Sequence, residues 1–137
     1  MDTLDGQQRS ARMSLVRAKN TKPELLVRRL VRGLGYRYRL HRRALPGTPD
    51  LVFSGRDKVI FVHGCFWHRH RGCALARMPK SRLEFWVPKL EGNAQRDARD
   101  VRALRRLGWG VMTIWECQLR DMTRLKNRIR RFLDAKR

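Results

Sequence analysis

Leu26, Val27, Leu30, Val31 and Leu34 recur at the three- and four-residue steps that gather side chains on one face of an α-helix. Thr21-Lys22-Pro23-Glu24 precedes them as a capping box with proline in the first turn, and Gly33 and Gly35 end the segment. From Tyr36 to His41 aromatic or apolar residues alternate with basic ones, as in a strand. Pro46-Gly47-Thr48-Pro49 then turns the chain into a short strand, Asp50-Leu51-Val52-Phe53. Ser54-Gly55-Arg56-Asp57 predicts a hairpin turn before Lys58 to Val62, which is apolar enough for a central strand. Ala94, Ala98, Val101 and Leu104 share a face and predict a second helix over roughly 91 to 107, ended by Gly108. Trp109 to Trp115 reads as a buried strand, and Met122, Leu125, Ile129 and Phe132 mark a closing amphipathic helix. The order is helix, three strands, loop, helix, strand, helix, which predicts an α/β sandwich around a mixed sheet. Residues 1–20 lack apolar periodicity and are read as an arm outside a single domain spanning 21–137.

Charge narrows the possible partners. The chain has 33 Lys and Arg against 12 Asp and Glu, a net charge of +21, and such self-repulsion is relieved by a polyanion. No apolar run approaches the ~18 residues needed to span a bilayer, and the start has no signal-peptide pattern. Nucleic acid is therefore the expected partner, and the predominance of Arg over Lys suits phosphate and base-edge contacts. A reducing, cytoplasmic setting follows from the missing secretory signal, so three Cys read better as metal ligands than as disulfides.

Three of the four histidines and two of the three cysteines fall in Val62-His63-Gly64-Cys65-Phe66-Trp67-His68-Arg69-His70-Arg71-Gly72-Cys73. Cys65, His70 and Cys73 stand at spacings that a tight loop can close, and Cys117 follows a predicted core strand. Together they form a Cys3His set of the structural zinc type, with no open coordination position; the alternative is that each cysteine is simply buried. Phe66 and Trp67 lie between these ligands. They either pack over the metal loop or wedge between base steps of a kinked duplex.

His63 and His68 are surplus to that tetrahedron. If the strand beginning at Asp50 pairs with the one ending at Val62-His63, the Asp50 carboxylate and the histidines converge on one sheet edge. One carboxylate, one backbone carbonyl and a phosphate can hold Mg²⁺, while His68 or His63 orients or deprotonates the attacking water. Glu24 is a candidate for holding a metal-bound water, although the Thr21 capping box accounts for it equally well. Asp50 also reads as a turn residue after Pro49, and Asp97 as a solvated helix charge unless it orients a histidine.

Thr-Lys-Pro-Glu, Leu-Pro-Gly-Thr-Pro-Asp, Phe-Val-His-Gly-Cys-Phe-Trp-His, Glu-Phe-Trp and Gly-Trp-Gly-Val-Met-Thr-Ile-Trp-Glu-Cys, in this order, resemble the very short patch repair (Vsr) DNA mismatch endonucleases over about residues 8–120. The resemblance implies a restriction-endonuclease-like three-layer fold with structural Zn²⁺. It also implies Mg²⁺-dependent nicking 5′ to the thymine of a T·G mismatch left by deamination of 5-methylcytosine. It makes Asp50 the Mg²⁺ carboxylate and the Val62 main-chain carbonyl a second ligand. His68 becomes the catalytic histidine aided by Asp97, with His63 and Glu24 as partners of metal-bound water and phosphate. Cys65, His70, Cys73 and Cys117 fall on the zinc positions, and Phe66, Trp67 and Trp86 on the intercalating wedge. Lys89, Asn93 and Met13 fall where the family reads or abuts the mismatched pair, and the N-terminal segment matches an arm that closes on the duplex. Double-stranded DNA is the implied substrate, the protein a monomer, and MutL, a cytosine-5 methyltransferase, a polymerase and a ligase the implied collaborators. Some relatives have Thr in place of Val62, which a carbonyl ligand tolerates. Two further readings stay open: a restriction-type nuclease cutting matched DNA, and a non-catalytic zinc-stabilised DNA-binding module.

Overall fold

The computed structural model describes residues 20–136, so the proposed arm over 1–20, Asn20 apart, and Met13 lie outside the described residues. Helix α1 spans Lys22–Gly33 and β1 spans Arg39–Leu40. Strands β2 (Leu51–Phe53) and β3 (Lys58–His63) follow, then α2 (Leu83–Arg106), β4 (Gly110–Trp115) and α3 (Met122–Asp134). The sheet order is β1-β2-β3-β4, with the first two pairings antiparallel and β3–β4 parallel. This is the expected element order and the expected mixed sheet.

Two apolar layers sandwich that sheet. Val27, Leu30 and Val31 of α1 and Leu125, Ile129 and Leu133 of α3 bury Leu51, Phe53, Ile60, Val62, Met112 and Ile114 on one face. Leu104 of α2 joins Val52, Val59 and Phe61 on the other, with Val101, Trp109 and Val111 packed alongside. Alternate residues of β2 and β3 thus serve opposite layers, which is why both strands are buried along their length. Lys58 secures the helix behind the sheet, because its ammonium donates to the Phe132 carbonyl (2.5 Å) and the Leu133 carbonyl (3.3 Å) at the C-terminal end of α3.

Several local expectations are corrected. The buried stripe of α1 is narrower than predicted: Leu26 is exposed, whereas Val27, Leu30 and Val31 are buried in the core and Leu34 packs against it. The strand expected over Tyr36 to His41 shrinks to two residues. The tyrosines are used for docking instead, with Tyr36 Oη donating to Asp134 and Tyr38 Oη to the Arg28 carbonyl. The turn after Phe53 does join β2 and β3 as a hairpin, through a short 3-10 segment with Asp57 in the left-handed region. Helix α2 begins near residue 83 and not near 91, carrying Glu84-Phe85-Trp86 and Pro88 within it. Pro88 and the aromatic pair hide those first turns from periodicity. Ala98, expected on the apolar face, is exposed. On α3, Met122 is exposed and Leu133 is the buried terminal residue, with Phe132 half-buried. Gly108 does end α2, at φ 95°.

Pro46-Gly47-Thr48-Pro49 shapes the entrance to the site. A Cβ on Gly47 would come within 3.0 Å of Asp100 and 3.1 Å of the Phe61 ring, and its φ is 75°, so glycine is required twice over. Among the described residues no helix is long and apolar enough to cross a membrane.

Candidate active site

Strand register assembles the site. Because Leu51 pairs with Ile60, Asp50 arrives beside the end of β3, where the Val62 amide donates to Asp50 Oδ2 at 2.7 Å. Val62 and Asp50 therefore adjoin as expected. In the parallel pair His63 stands opposite Trp115, so Cys65 and Cys117 each follow two residues beyond matched strand ends. One sheet edge thus carries both the carboxylate and the cysteines.

Asp50 meets Glu24 and His41 there. His41 Nε2 lies 2.8 Å from Glu24 Oε2 and 4.0 Å from Asp50 Oδ1, and Arg28 also pairs with Glu24. The cap accounts for the Glu24 amide but not for its carboxylate. Its amide donates to Thr21 Oγ1 as a helix cap (3.3 Å), but its buried carboxylate turns toward Asn20, Arg28 and His41. Burial, aided by the charge of Glu24 and opposed by the Val62 hydrogen bond, pushes the Asp50 carboxyl up to about 8. Two acids and an imidazole gathered this closely form a donor set that could take a cation, with Arg28 already beside Glu24.

The second group is His63, His68 and Asp97. His68 Nδ1 lies 2.5 Å from Asp97 Oδ2, and a carboxylate can only accept, so Nδ1 carries a proton and, in the neutral ring, the lone pair is on Nε2. Asp97 is thereby more than a solvated helix charge. The His63 ring stacks on His68 at 3.8 Å and 5°. Burial first, and the neighbouring His68 second, pull the His63 pKa down to about 3, so this ring stays neutral at physiological pH. Its Nδ1 is buried and has no hydrogen-bond partner among the described protein groups. A cleft of about 180 Å³ is lined by His41, Asp50, His63, His68 and Asp97 together. Arg69, Arg71, Arg102 and Arg105 line a neighbouring groove that reaches the same histidines.

The Cys3His set also comes together: one ligand atom each from Cys65, His70, Cys73 and Cys117 lie mutually within 4.8 Å. His70 Nδ1 is 3.6 Å from Cys65 Sγ and 3.5 Å from Cys117 Sγ. Zinc bonds of ~2.3 Å to sulfur and ~2.0 Å to nitrogen give a tetrahedral edge of roughly 3.5 Å, so the donors fit that ion. Burial pushes the Cys65 thiol up to about 12, which a metal cation would reverse. Sequence reasoning overlooked two supports of this loop. Trp115 stacks on His70 at 4.2 Å and meets the His63 ring edge-on at 5.3 Å, while Glu116 Oε1 accepts from the Cys65 amide. Only the parallel register, invisible in local pattern, could have pointed to them.

Phe66, Trp67 and Trp86 form a half-buried cluster with ring centroids 5.1 to 6.0 Å apart, and Phe85 adds a fourth ring. The loop aromatics therefore pack against α2 and lie beside the metal loop, so both sequence readings remain compatible with the geometry. Lys89 Nζ lies 5.8 Å from the Phe85 ring centroid. Asn93 is buried, donating to the Trp67 carbonyl at 3.0 Å and accepting from Arg96. In this conformation Asn93 holds the aromatic loop.

The fold resembles the catalytic domain of the homing endonuclease I-Bth0305I, with a TM-score of 0.57 at 20% identity over 82% of this chain and 94% of that one. The likeness is one of fold, a mixed sheet between helices. A family model described as DNA mismatch endonuclease Vsr matches residues 1–75. The type II nicking enzyme V.XorIIP of Xanthomonas oryzae pv. oryzae is 52% identical over 97% of this chain and 97% of its own length. The DNA mismatch endonuclease Vsr of Escherichia coli is 41% identical over 90% of this chain and 79% of its own. The chain belongs to the Vsr family and is a DNA endonuclease.

Proposed function

We propose that this endonuclease is a Mg²⁺-dependent nickase that cuts 5′ to the thymine of T·G mismatches and is held in shape by structural Zn²⁺. The observation that carries this reading is the convergence of Asp50 with His63 and the His68–Asp97 pair in one cleft. The mismatch preference is supported by the aromatic cluster beside that cleft and by the name of the Escherichia coli relative.

Asp50 and the Val62 carbonyl would hold Mg²⁺, which supplies charge stabilisation at phosphorus and the leaving oxygen when bound. Asp97 fixes the tautomer of His68, so His68 Nε2 takes a proton from the attacking water. Neutral His63 offers a hydrogen bond at the phosphate or the water, and Glu24 orients water from the opposite side. Cys65, His70, Cys73 and Cys117 hold zinc and keep the loop rigid. Phe66, Trp67 and Trp86 enter the duplex beside the mismatch, where Lys89, Asn93 and Met13 abut the mispaired bases. For Asn93 this requires release from Trp67. Residues 21–137 act as one monomeric domain with the preceding segment as a DNA-contacting arm. The setting is cytoplasmic, with MutL, a cytosine-5 methyltransferase, a polymerase and a ligase as collaborators.

The deciding experiment compares end-labelled duplexes that differ only in T·G against C·G, with and without Mg²⁺, on a denaturing gel. A single Mg²⁺-dependent nick in the T strand is expected. Equal cleavage of the matched duplex would point to a restriction-type nuclease, and retention without cleavage to a binding module.

The raised Asp50 carboxyl gives a pH signature. Its folded pKa of about 8 lies above the unfolded value of ~3.9, so the stability linked to its proton is fully present below about pH 4 and is lost as pH rises through about 8. In Mg²⁺-free buffer with zinc retained, the melting temperature of Asp50→Asn should gain on the parent as pH climbs from 4 to 8, then level off. A gap that stays constant across this range would refute the burial of Asp50 as a strained acid.

A further inference from the structure

One imidazole in the cleft has no part in the chemistry above. His41 follows β1 with φ 47°, a left-handed conformation that a non-glycine residue keeps only when its surroundings enforce it. Its amide lies 3.4 Å from the Asp50 carbonyl that accepts from it, one step beyond the Leu40–Leu51 pair, so its backbone is tied to the residue bearing the carboxylate. Its side chain then crosses to α1, where Nε2 donates to Glu24 Oε2 at 2.8 Å.

The geometry points to His41 as a positioning residue: we infer that it holds the Glu24 carboxylate in register with Asp50, so that the two acids face one cation. This rests on the reading of Asp50 as the Mg²⁺ carboxylate. Two nearby acids repel each other, and Arg28, on the same helix as Glu24, could satisfy the Glu24 charge by drawing it along α1. The hydrogen bond from His41 comes from β1 instead and adds direction more than charge. His41, Glu24 and Asp50 each offer a ligand atom within 4.8 Å of the others, and His41 lines the cleft wall with Asp50, His63 and His68. A helix cap alone would need none of this, since Thr21 already serves the Glu24 amide.

The test compares the full zinc-loaded chain with His41→Leu and His41→Gln. Leu removes the donor while roughly keeping volume; Gln restores an N–H donor. Both place an ordinary side chain at the same strained φ, so the backbone cost cancels between them. Mn²⁺ binding is followed by electron paramagnetic resonance without turnover, and kcat and KM are measured on T·G duplex with Mg²⁺. His41→Leu should lose roughly 10- to 100-fold in Mn²⁺ affinity and in kcat, the range seen when a group orienting a metal ligand is removed. KM and zinc content should stay at the parent level, and His41→Gln should recover most of the loss. His41→Leu with parental Mn²⁺ affinity, or His41→Gln as impaired as His41→Leu, would overturn the inference alone. A parent chain that binds no Mn²⁺ would overturn the Asp50 reading and this inference with it.

Discussion

Asp50→Ala should lower Mg²⁺-dependent nicking of a T·G duplex by about a thousandfold or more. A metal-bound carboxylate underwrites several kcal/mol of transition-state stabilisation, and each tenfold in rate corresponds to about 1.4 kcal/mol. Asp50 is the acid positioned by both neighbouring strands, through its own place before β2 and the Val62 amide of β3. Asp97 is paired with His68, and Glu24 reaches the cleft from α1 without the Val62 amide that anchors Asp50, so neither takes over its place. Initial rates on a denaturing gel, alongside duplex affinity without Mg²⁺, separate lost chemistry from lost binding. Parental nicking by Asp50→Ala would move the catalytic centre away from the β2–β3 edge.

Cys117→Ser should be the most damaging single change to stability. Structural zinc contributes ~10–16 kcal/mol in small peptides that depend on it entirely, and this domain has its own core, so only part of that is at stake. Even a third of the lower figure would reduce the melting temperature by more than ~10 °C at roughly 4 °C per kcal/mol. Activity should fall with it, because His70 stacks on Trp115 and Trp115 meets His63 edge-on. Zinc content and thermal denaturation, measured on the same preparation, check this. A Cys117→Ser protein with parental zinc and melting behaviour would show that the thiols are merely buried.

What the sequence made legible follows the range of the interactions involved. Val27, Leu30 and Val31 announced α1, and the apolar runs at Leu51 and Lys58–Val62 announced two adjacent strands, because each pattern is set by near neighbours. The meeting of Asp50 with Val62 followed from a single tight turn. Cys65, His70, Cys73 and Cys117 were visible by composition, and they do cluster. The start of α2 was hidden by Pro88, and the two tyrosines before β1 looked like strand residues until their hydroxyls found α1 and α3. The contacts of His41, Trp115 and Glu116 were not legible for one physical reason: each acts across the sheet or onto a segment distant in sequence. Asn93 was placed at the base pair by resemblance, whereas its hydrogen bonds here run to the Trp67 carbonyl and Arg96.

The parallel pairing of β3 with β4 also has a temporal side. The strands are separated in sequence by the cysteine loop and all of α2, so their alignment must meet a large loop-closure entropy before any contact rewards it. Cys117 and Trp115 lie beyond that crossover, so a chain that has not yet paired β4 with β3 lacks both the third thiol of the Cys3His set and the ring that touches His63 and His70. Asp50 meets Val62 through the short β2–β3 hairpin, whereas the Trp115 contacts to His63 and His70 wait for the longer closure through α2.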